Sequence, residues 1–291
     1  MGEKTLNENP IATALVTKLK RGHSKKLANL AKQLVHDQQN EEVQAALSSL
    51  DPRHSTYLRV QNSLGSIIGL IIDMKEMKPL ADIMSQAEEI YMPEGPPMSP
   101  LTMSYFNSWA LYDTSVNPES ETIGSVALAL AEAAGMDAES IRLAGVILQS
   151  RMGLYVHKGV ERELAVLEEM VTGNVCRTHV PAGYSGKKGE LWFVRVLPPP
   201  QPDVAEHLAF ITPYIIRKTP ASEWLAYFAR TLPQPQSTGD YERHMKYGPS
   251  RNYWSEYIFE AYSDYRREAV FLEGIPDIPA SLPHSEVNGP V

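Results

Sequence analysis

Residues 153–216 read GLYVHKGVERELAVLEEMVTGNVCRTHVPAGYSGKKGELWFVRVLPPPQPDVAEHLAFITPYII, and this stretch decides the fold. Apolar and polar residues alternate with period two in several short runs, and turn-forming residues separate them. Residues 153–157 (GLYVH) form the first expected strand and 163–170 the second. Val171-Thr172-Gly173-Asn174 supplies the turn into the third, 175–180 (VCRTHV). The loop 181–189 (PAGYSGKKG) then leads to a fourth strand, 191–197 (LWFVRVL), which alternates large apolar residues around Arg195 and stops at three prolines. Residues 207–216 complete the set. Five short strands joined by turns predict a small antiparallel barrel of the SH3-like or OB-like kind, because closing the sheet removes its exposed edges.

Outward from this module the pattern becomes helical. On the N-terminal side, Leu15 and Leu19 continue a helical face from Ile11. Ser24 is placed to cap a helix carrying Leu27, Leu30, Leu34 and Val35. Further helices are expected over 41–50, 55–74 and 79–91. The segment MPEGPPMSP (92–100) cannot continue a helix and reads as a linker. Helices resume before Tyr112, stop at Gly135 and restart after Asp137. Beyond the barrel, Thr219-Pro220 opens a helix reaching about residue 232, and Ser250 is placed to cap a last one over 251–270. The predicted class is α+β: mostly helical, with one small five-stranded barrel. Its regions are N-terminal helices (1–92), a second helical region (100–150), the barrel module (151–217), C-terminal helices (218–270) and an extended tail (271–291).

Composition bounds the function. The chain has 291 residues, 43% hydrophobic and 21% charged, ordinary values for a globular protein. A net charge of -8 argues against a chain-wide nucleic-acid role, so any polyanion must be met by a local patch. The single cysteine, Cys176, excludes an internal disulfide and a multi-thiolate zinc site, and fits a reducing cytosol. It reads as a packed core thiol in a strand. The start, MGEKTLNENP, lacks an apolar leader segment, and no apolar run approaches the roughly 20 residues of a membrane span. The expected location is therefore the cytoplasm. No P-loop, G-x-G-x-x-G, G-x-S-x-G or H-E-x-x-H motif occurs. No cofactor or metal is expected. Glu256 and Glu260 share a helical face but lack the Glu-x-x-His partner helix of bundle metal sites. His157, His179 and His207 fall in expected strands without metal-ligand spacing.

Four segments carry a resemblance: FNSWALYDTSVNPESETI (106–123), ILQSRMGLYVHKG (147–159), LEEMVTGNV (167–175) and GELWFVRVLPPP (189–200). In their order and pattern the chain resembles a family of uncharacterised bacterial proteins, some of which end in a SEC-C zinc motif. The resemblance covers about a third of the chain and implies the fold of its middle. The cysteine-rich zinc tail has no counterpart here, so the metal and adaptor role linked to it does not transfer.

Three surfaces stand out as candidates. Lys18, Lys20, Arg21, Lys25 and Lys26 place five positive charges in nine residues, enough to track a phosphate backbone. The competing reading is a solvated helical surface. Tyr184, Lys187 and Lys188 beside Trp192 form the second set, suited to stacking on and neutralising a nucleotide or acidic peptide. The competing reading is an ordinary polar hairpin loop. The third is C-terminal. Tyr253, Tyr257 and Tyr265 fall on one face of the expected last helix, next to Arg251, and suit a protein–protein surface or ligand wall. Docking on the protein's own core competes.

The expected function is a non-enzymatic binding or scaffold protein meeting a protein partner through the second or third surface. Nucleic-acid binding through the Lys18–Lys26 patch is the alternative. A third reading is a hydrolase or nuclease with a site assembled from His244, Arg251, Glu256 and Tyr257. Oligomeric state is not legible.

Overall fold

A computed structural model of the chain describes residues 9–22, 24, 27, 29–30, 41–95, 98–116, 120–233, 237–265 and 269–273. The fold is mixed α and β, built around the expected small barrel. Most of the second N-terminal helix, including Leu34 and Val35, lies outside the described residues.

Helix α1 (Pro10–Lys20) opens on a proline. Its start is capped from afar: Ile11 and Ala12 donate their N–H groups to the Glu121 carboxylate at 2.9 and 2.7 Å. A buried carboxylate there satisfies orphan donors and meets the positive end of the helix. Helix α2 (Glu41–Ser48) precedes the long α3 (Pro52–Ile71). Asp51 caps α3 by accepting from Arg53 N–H. Tyr57, Val60, Leu64, Ile67 and Ile71 recur on one face of α3 and are buried. Helix α4 (Lys78–Tyr91) follows, then α5 (Met103–Tyr112), α6 (Ile123–Ala133) and α7 (Ala138–Gln149). Thr122 and Ser125 form a reciprocal capping box on α6, and Asp137 caps α7. Together α1, α3, α6 and α7 bury one core cluster.

The barrel strands are β1 (Met152–Glu161), β2 (Leu164–Glu169), β3 (Val175–His179), β4 (Leu191–Leu197) and β5 (His207–Ala209). They run in the order β1-β2-β3-β5-β4, and β1 pairs with β4 to close the ring. The expected all-antiparallel barrel needs one correction. Strand β3 pairs β5 in parallel, with Thr178 opposite His207, so the barrel is mixed. A second correction concerns the fifth strand. Residues 207–216 split into β5 and β6 (Tyr214–Arg217), because Pro213 has no N–H to donate to a ladder. Strand β6 pairs outside the ring with the first half of β4.

The C-terminal region departs furthest from expectation. Helices α8 (Ala221–Thr231) and α9 (Thr238–Tyr247) form, but α10 runs only from Tyr253 to Ala261. The chain then turns into β7 (Tyr262–Tyr265) and β8 (Val270–Glu273). Strand β8 pairs in parallel with β6 and antiparallel with β7, extending the sheet to eight strands. Tyr265 is therefore not on the helix with Tyr253 and Tyr257. The start of the expected tail is a buried strand, and residues 274–291 lie outside the described residues. No helix among the described residues is long and apolar enough to cross a membrane.

Candidate functional site

The barrel and the helices meet over a largely buried charged cluster. Arg195, the one charged residue of β4, is 1% exposed. Its guanidinium is ion-paired with Asp113, which follows α5 and is also buried. It also donates to Ser150 O at 2.9 Å and Ser150 Oγ at 3.0 Å. Lys246 of α9 donates to the other Asp113 oxygen at 2.8 Å and to the carbonyls of Leu148 and Ser150 at 2.7 and 3.0 Å. All three ammonium protons are thus engaged. Burial pulls the Lys246 pKa down and Asp113 pulls it back up. One carboxylate answers two cations, so the cluster carries a surplus positive charge.

Helix α9 is held in place from its other side. Tyr241 and Met245 are fully buried, and Tyr241 OH donates to Glu169 at 3.3 Å. Glu169 also takes a 2.7 Å ion pair from Arg151, whose guanidinium lies over the Tyr241 ring at 4.9 Å. This leaves Asp240, Arg243, His244 and Tyr247, at helical spacings of three and four, on the opposite face. They line a cleft of about 460 Å³ whose floor includes Asp113 and whose far wall includes Arg251. The turn between α9 and α10 is tight. Gly248 has φ +65, and a Cβ there would lie 2.6 Å from Tyr253 Cβ, so only glycine fits. Trp254 Nε1 donates to His244 O at 3.1 Å and ties the two helices together.

Counting the groups in and directly beneath the cleft, Arg243, Arg251, Lys246 and Arg195 face Asp113 and Asp240. Arg251 is exposed and makes no hydrogen bond or ion pair to a described residue. His244 is not a cation at neutral pH. Burial drops its pKa to about 4, and its Nε2 lies 2.9 Å from Tyr227 OH. Its ring packs among Tyr227, Phe228, Tyr253 and Trp254. The cleft therefore offers fixed positive charge, chiefly guanidinium, beside the rings of His244 and Tyr247.

The residues singled out from the sequence are distributed as follows. Arg251 and His244 reach the cleft. Glu256 lies beside Arg251 in an adjoining depression, with its carboxylate 3.4 Å from Tyr91 OH. Tyr257 is fully buried against Phe193, Trp224 and Trp254, so the four residues of the hydrolase reading do not converge. Tyr253 is buried as well, its ring parallel to that of Tyr227 at 6.4 Å. The tyrosine helix thus docks on the protein's own core, and the expected partner surface there is corrected.

The barrel loop is corrected in part. Trp192 is fully buried and presents no stacking face. Glu190, which the sequence reading passed over, organises the loop. It accepts from Tyr184 OH at 2.9 Å, Lys187 N–H at 2.9 Å and Trp192 Nε1 at 3.2 Å. Of Tyr184, Lys187, Lys188 and Trp192, the two lysines are exposed. In the N-terminal patch Lys18 is ion-paired with Glu76, Lys20 and Arg21 are exposed, and Lys25 and Lys26 lie outside the described residues.

The strand histidines do not meet as a metal site, and no cluster of metal-ligating side chains occurs among the described residues. His157 is fully buried. Its Nε2 bonds Ser185 O at 3.0 Å and its Nδ1 accepts from Gly159 N–H at 3.2 Å, a neutral, satisfied ring. Cys176 is half-buried, and burial pushes its thiol pKa up.

The sequence reading also missed Asp113 and Lys246, whose partners stand far away in the chain. Arg195 in an otherwise apolar strand was the one visible signal. Comparisons with protein-family models, curated proteins and solved structures return no match for this chain.

Proposed function

We propose that this chain is a non-catalytic cytoplasmic binding protein whose ligand presents an anionic group to the cleft between α9 and the start of α10. One observation carries the reading. Arg251 lines the cleft without a partner among the described residues, near a buried cluster in which Asp113 is shared by Arg195 and Lys246. A carboxylate or phosphate entering the cleft would supply the missing negative charge, and guanidinium groups bind such planar or tetrahedral oxyanions through paired hydrogen bonds. The volume, about 460 Å³, suits a small molecule. Catalysis is not part of the proposal. His244 is neutral and bonded to Tyr227, and Lys246 has no proton or lone pair left for chemistry. The single cysteine agrees with a reducing compartment.

The test is calorimetric titration with inorganic phosphate, citrate and a nucleoside monophosphate, at two salt concentrations. Binding of at least one, weakened by salt and lost in Arg243→Gln/Arg251→Gln, is the expected result. If none of the three binds, or if binding survives the double substitution, the cleft is not an anion site.

A further inference from the structure

A second cavity, separate from the cationic cleft, lies among α2, α3 and α5. It is a groove of about 620 Å³, within the range of small-molecule sites. Its chemistry differs from that of the cleft. Val43 and Leu47 are one turn apart on α2 and, with Leu111 of α5, form apolar walls. Four side-chain carboxamides line the groove with them: Gln44 of α2, Gln61 and Asn62 of α3 and Asn107 of α5. Gln44, Asn62 and Asn107 make no hydrogen bond to a described residue. Among the described residues no carboxylate lines the groove, and the one charged group there is Arg59, which is exposed.

The floor supplies the independent observation. Tyr112 is 1% exposed, and its hydroxyl is buried without a hydrogen-bond partner among the described residues. Gln61 stands near enough to act on the phenol but does not close a bond of good geometry. Burial pushes the Tyr112 pKa up to about 12, so the phenol keeps its proton and can both donate and accept. An orphaned buried hydroxyl is destabilising, and a ligand atom reaching the floor would remove that cost.

We propose that this groove binds a small uncharged ligand presenting a hydrogen-bond donor and acceptor side by side, as a primary carboxamide or a nucleobase edge does. Side-chain carboxamides are themselves donor–acceptor pairs and match such an edge in a bidentate way. The leucine and valine walls cover the flat apolar faces of the same molecule. Arg59 at the edge tolerates a polar or anionic substituent pointing outward.

The probes are nicotinamide, cytosine and uracil, followed by saturation-transfer NMR on the whole chain. Gly65 gives a clean blocking variant. It lies in the middle of α3 and lines the groove, and a Cβ there would meet nothing within 4 Å. Leu is a better helix former than Gly, so Gly65→Leu should fold while filling the groove. At least one probe is expected to give transfer in the native chain. That signal should weaken about tenfold or more in Tyr112→Phe and in Asn62→Ala/Asn107→Ala, and vanish in Gly65→Leu. Arg251→Gln should leave it unchanged, which separates this site from the anion cleft. No transfer from any of the three probes, or transfer that persists in Gly65→Leu, overturns the proposal and leaves a merely solvated groove.

Discussion

Asp113 and Lys246 are 133 residues apart in the chain, yet Lys246 Nζ donates to Asp113 Oδ1 at 2.8 Å inside the protein. Asp113 also holds Arg195, so one carboxylate fastens α5, β4 and α9 together. Asp113→Ala would leave two buried cations without their counter-charge. Breaking a buried pair in this way typically costs about 3–5 kcal/mol, because the stranded charge cannot recover its hydration. Lys246→Met leaves the Arg195–Asp113 pair and the Arg195–Ser150 bond intact and orphans the Leu148 carbonyl oxygen instead, a cost of about 1–3 kcal/mol. Urea denaturation should rank Asp113→Ala as clearly the more destabilised. Equal midpoints for the two variants would show that the cluster is not organised around Asp113.

Stability should fall on mild acidification. Burial lowers the pKa of His244 from an ordinary 6.5 to about 4. It also lowers those of His54, His157, His179 and His207. In each case the folded state disfavours the proton that the unfolded chain accepts near pH 6.5. The contribution is therefore complete above about pH 6.5 and is lost as pH falls toward the folded values, near 4 for His244. Melting temperature measured from pH 7.5 to 4.5 should decline in that window. His244→Phe, which keeps a ring among Tyr227, Phe228 and Trp254, should flatten the slope by up to one proton's share, about 1.4 kcal/mol per pH unit. An unchanged slope would mean that His244 is solvated in the folded protein.

Gly186 and Gly183 sit in the same barrel loop and separate two effects of adding a methyl group. Both have positive φ, +73 and +86. A Cβ on Gly183 meets nothing within 4 Å, whereas one on Gly186 would lie 2.4 Å from a Trp192 ring carbon and 2.9 Å from His157. Gly183→Ala should therefore cost only the backbone strain, about 1 kcal/mol. Gly186→Ala adds overpacking against a fully buried indole and should cost about 1–3 kcal/mol more. Comparable losses by chemical denaturation would argue that the loop does not press on Trp192.

How far these relationships were legible depends on the range over which they act. Strand β4 was read at its true limits because Leu191 to Leu197 alternate and Pro198 stops them, which are local signals. The turn at Asn174 and the cap at Asp137 are equally local. Residues 251–270 misled because aromatic residues suit helix and strand alike. The run Val270-Phe271-Leu272 became a strand because β6 offered an open edge, a tertiary fact without local trace. The sites divide in the same way. Arg251 was visible as an exposed cation near a helix start. Asp113 was quoted in a motif but given no role, since its partners lie 82 and 133 residues away. Trp192 read as a rim residue because the loop before its strand is polar, but Glu190 folds that loop over it.

Cys176 tests whether the barrel mouth is reactive. Its Sγ lies 3.4 Å from Thr178 Oγ1 and 3.6 Å from Leu167 O, and burial raises the thiol pKa above its usual range. A thiol held protonated is a poor nucleophile, since the thiolate is the reacting species. Alkylation by iodoacetamide at pH 7.5 should therefore be slower in the folded protein than in the same protein unfolded in urea, by about tenfold or more. Cys176→Ala should cost only about 1 kcal/mol of packing and leave binding in the distant cleft unchanged. Folded-state alkylation as fast as that of the unfolded chain would place the thiol in an activated setting and reopen a chemical role for the barrel.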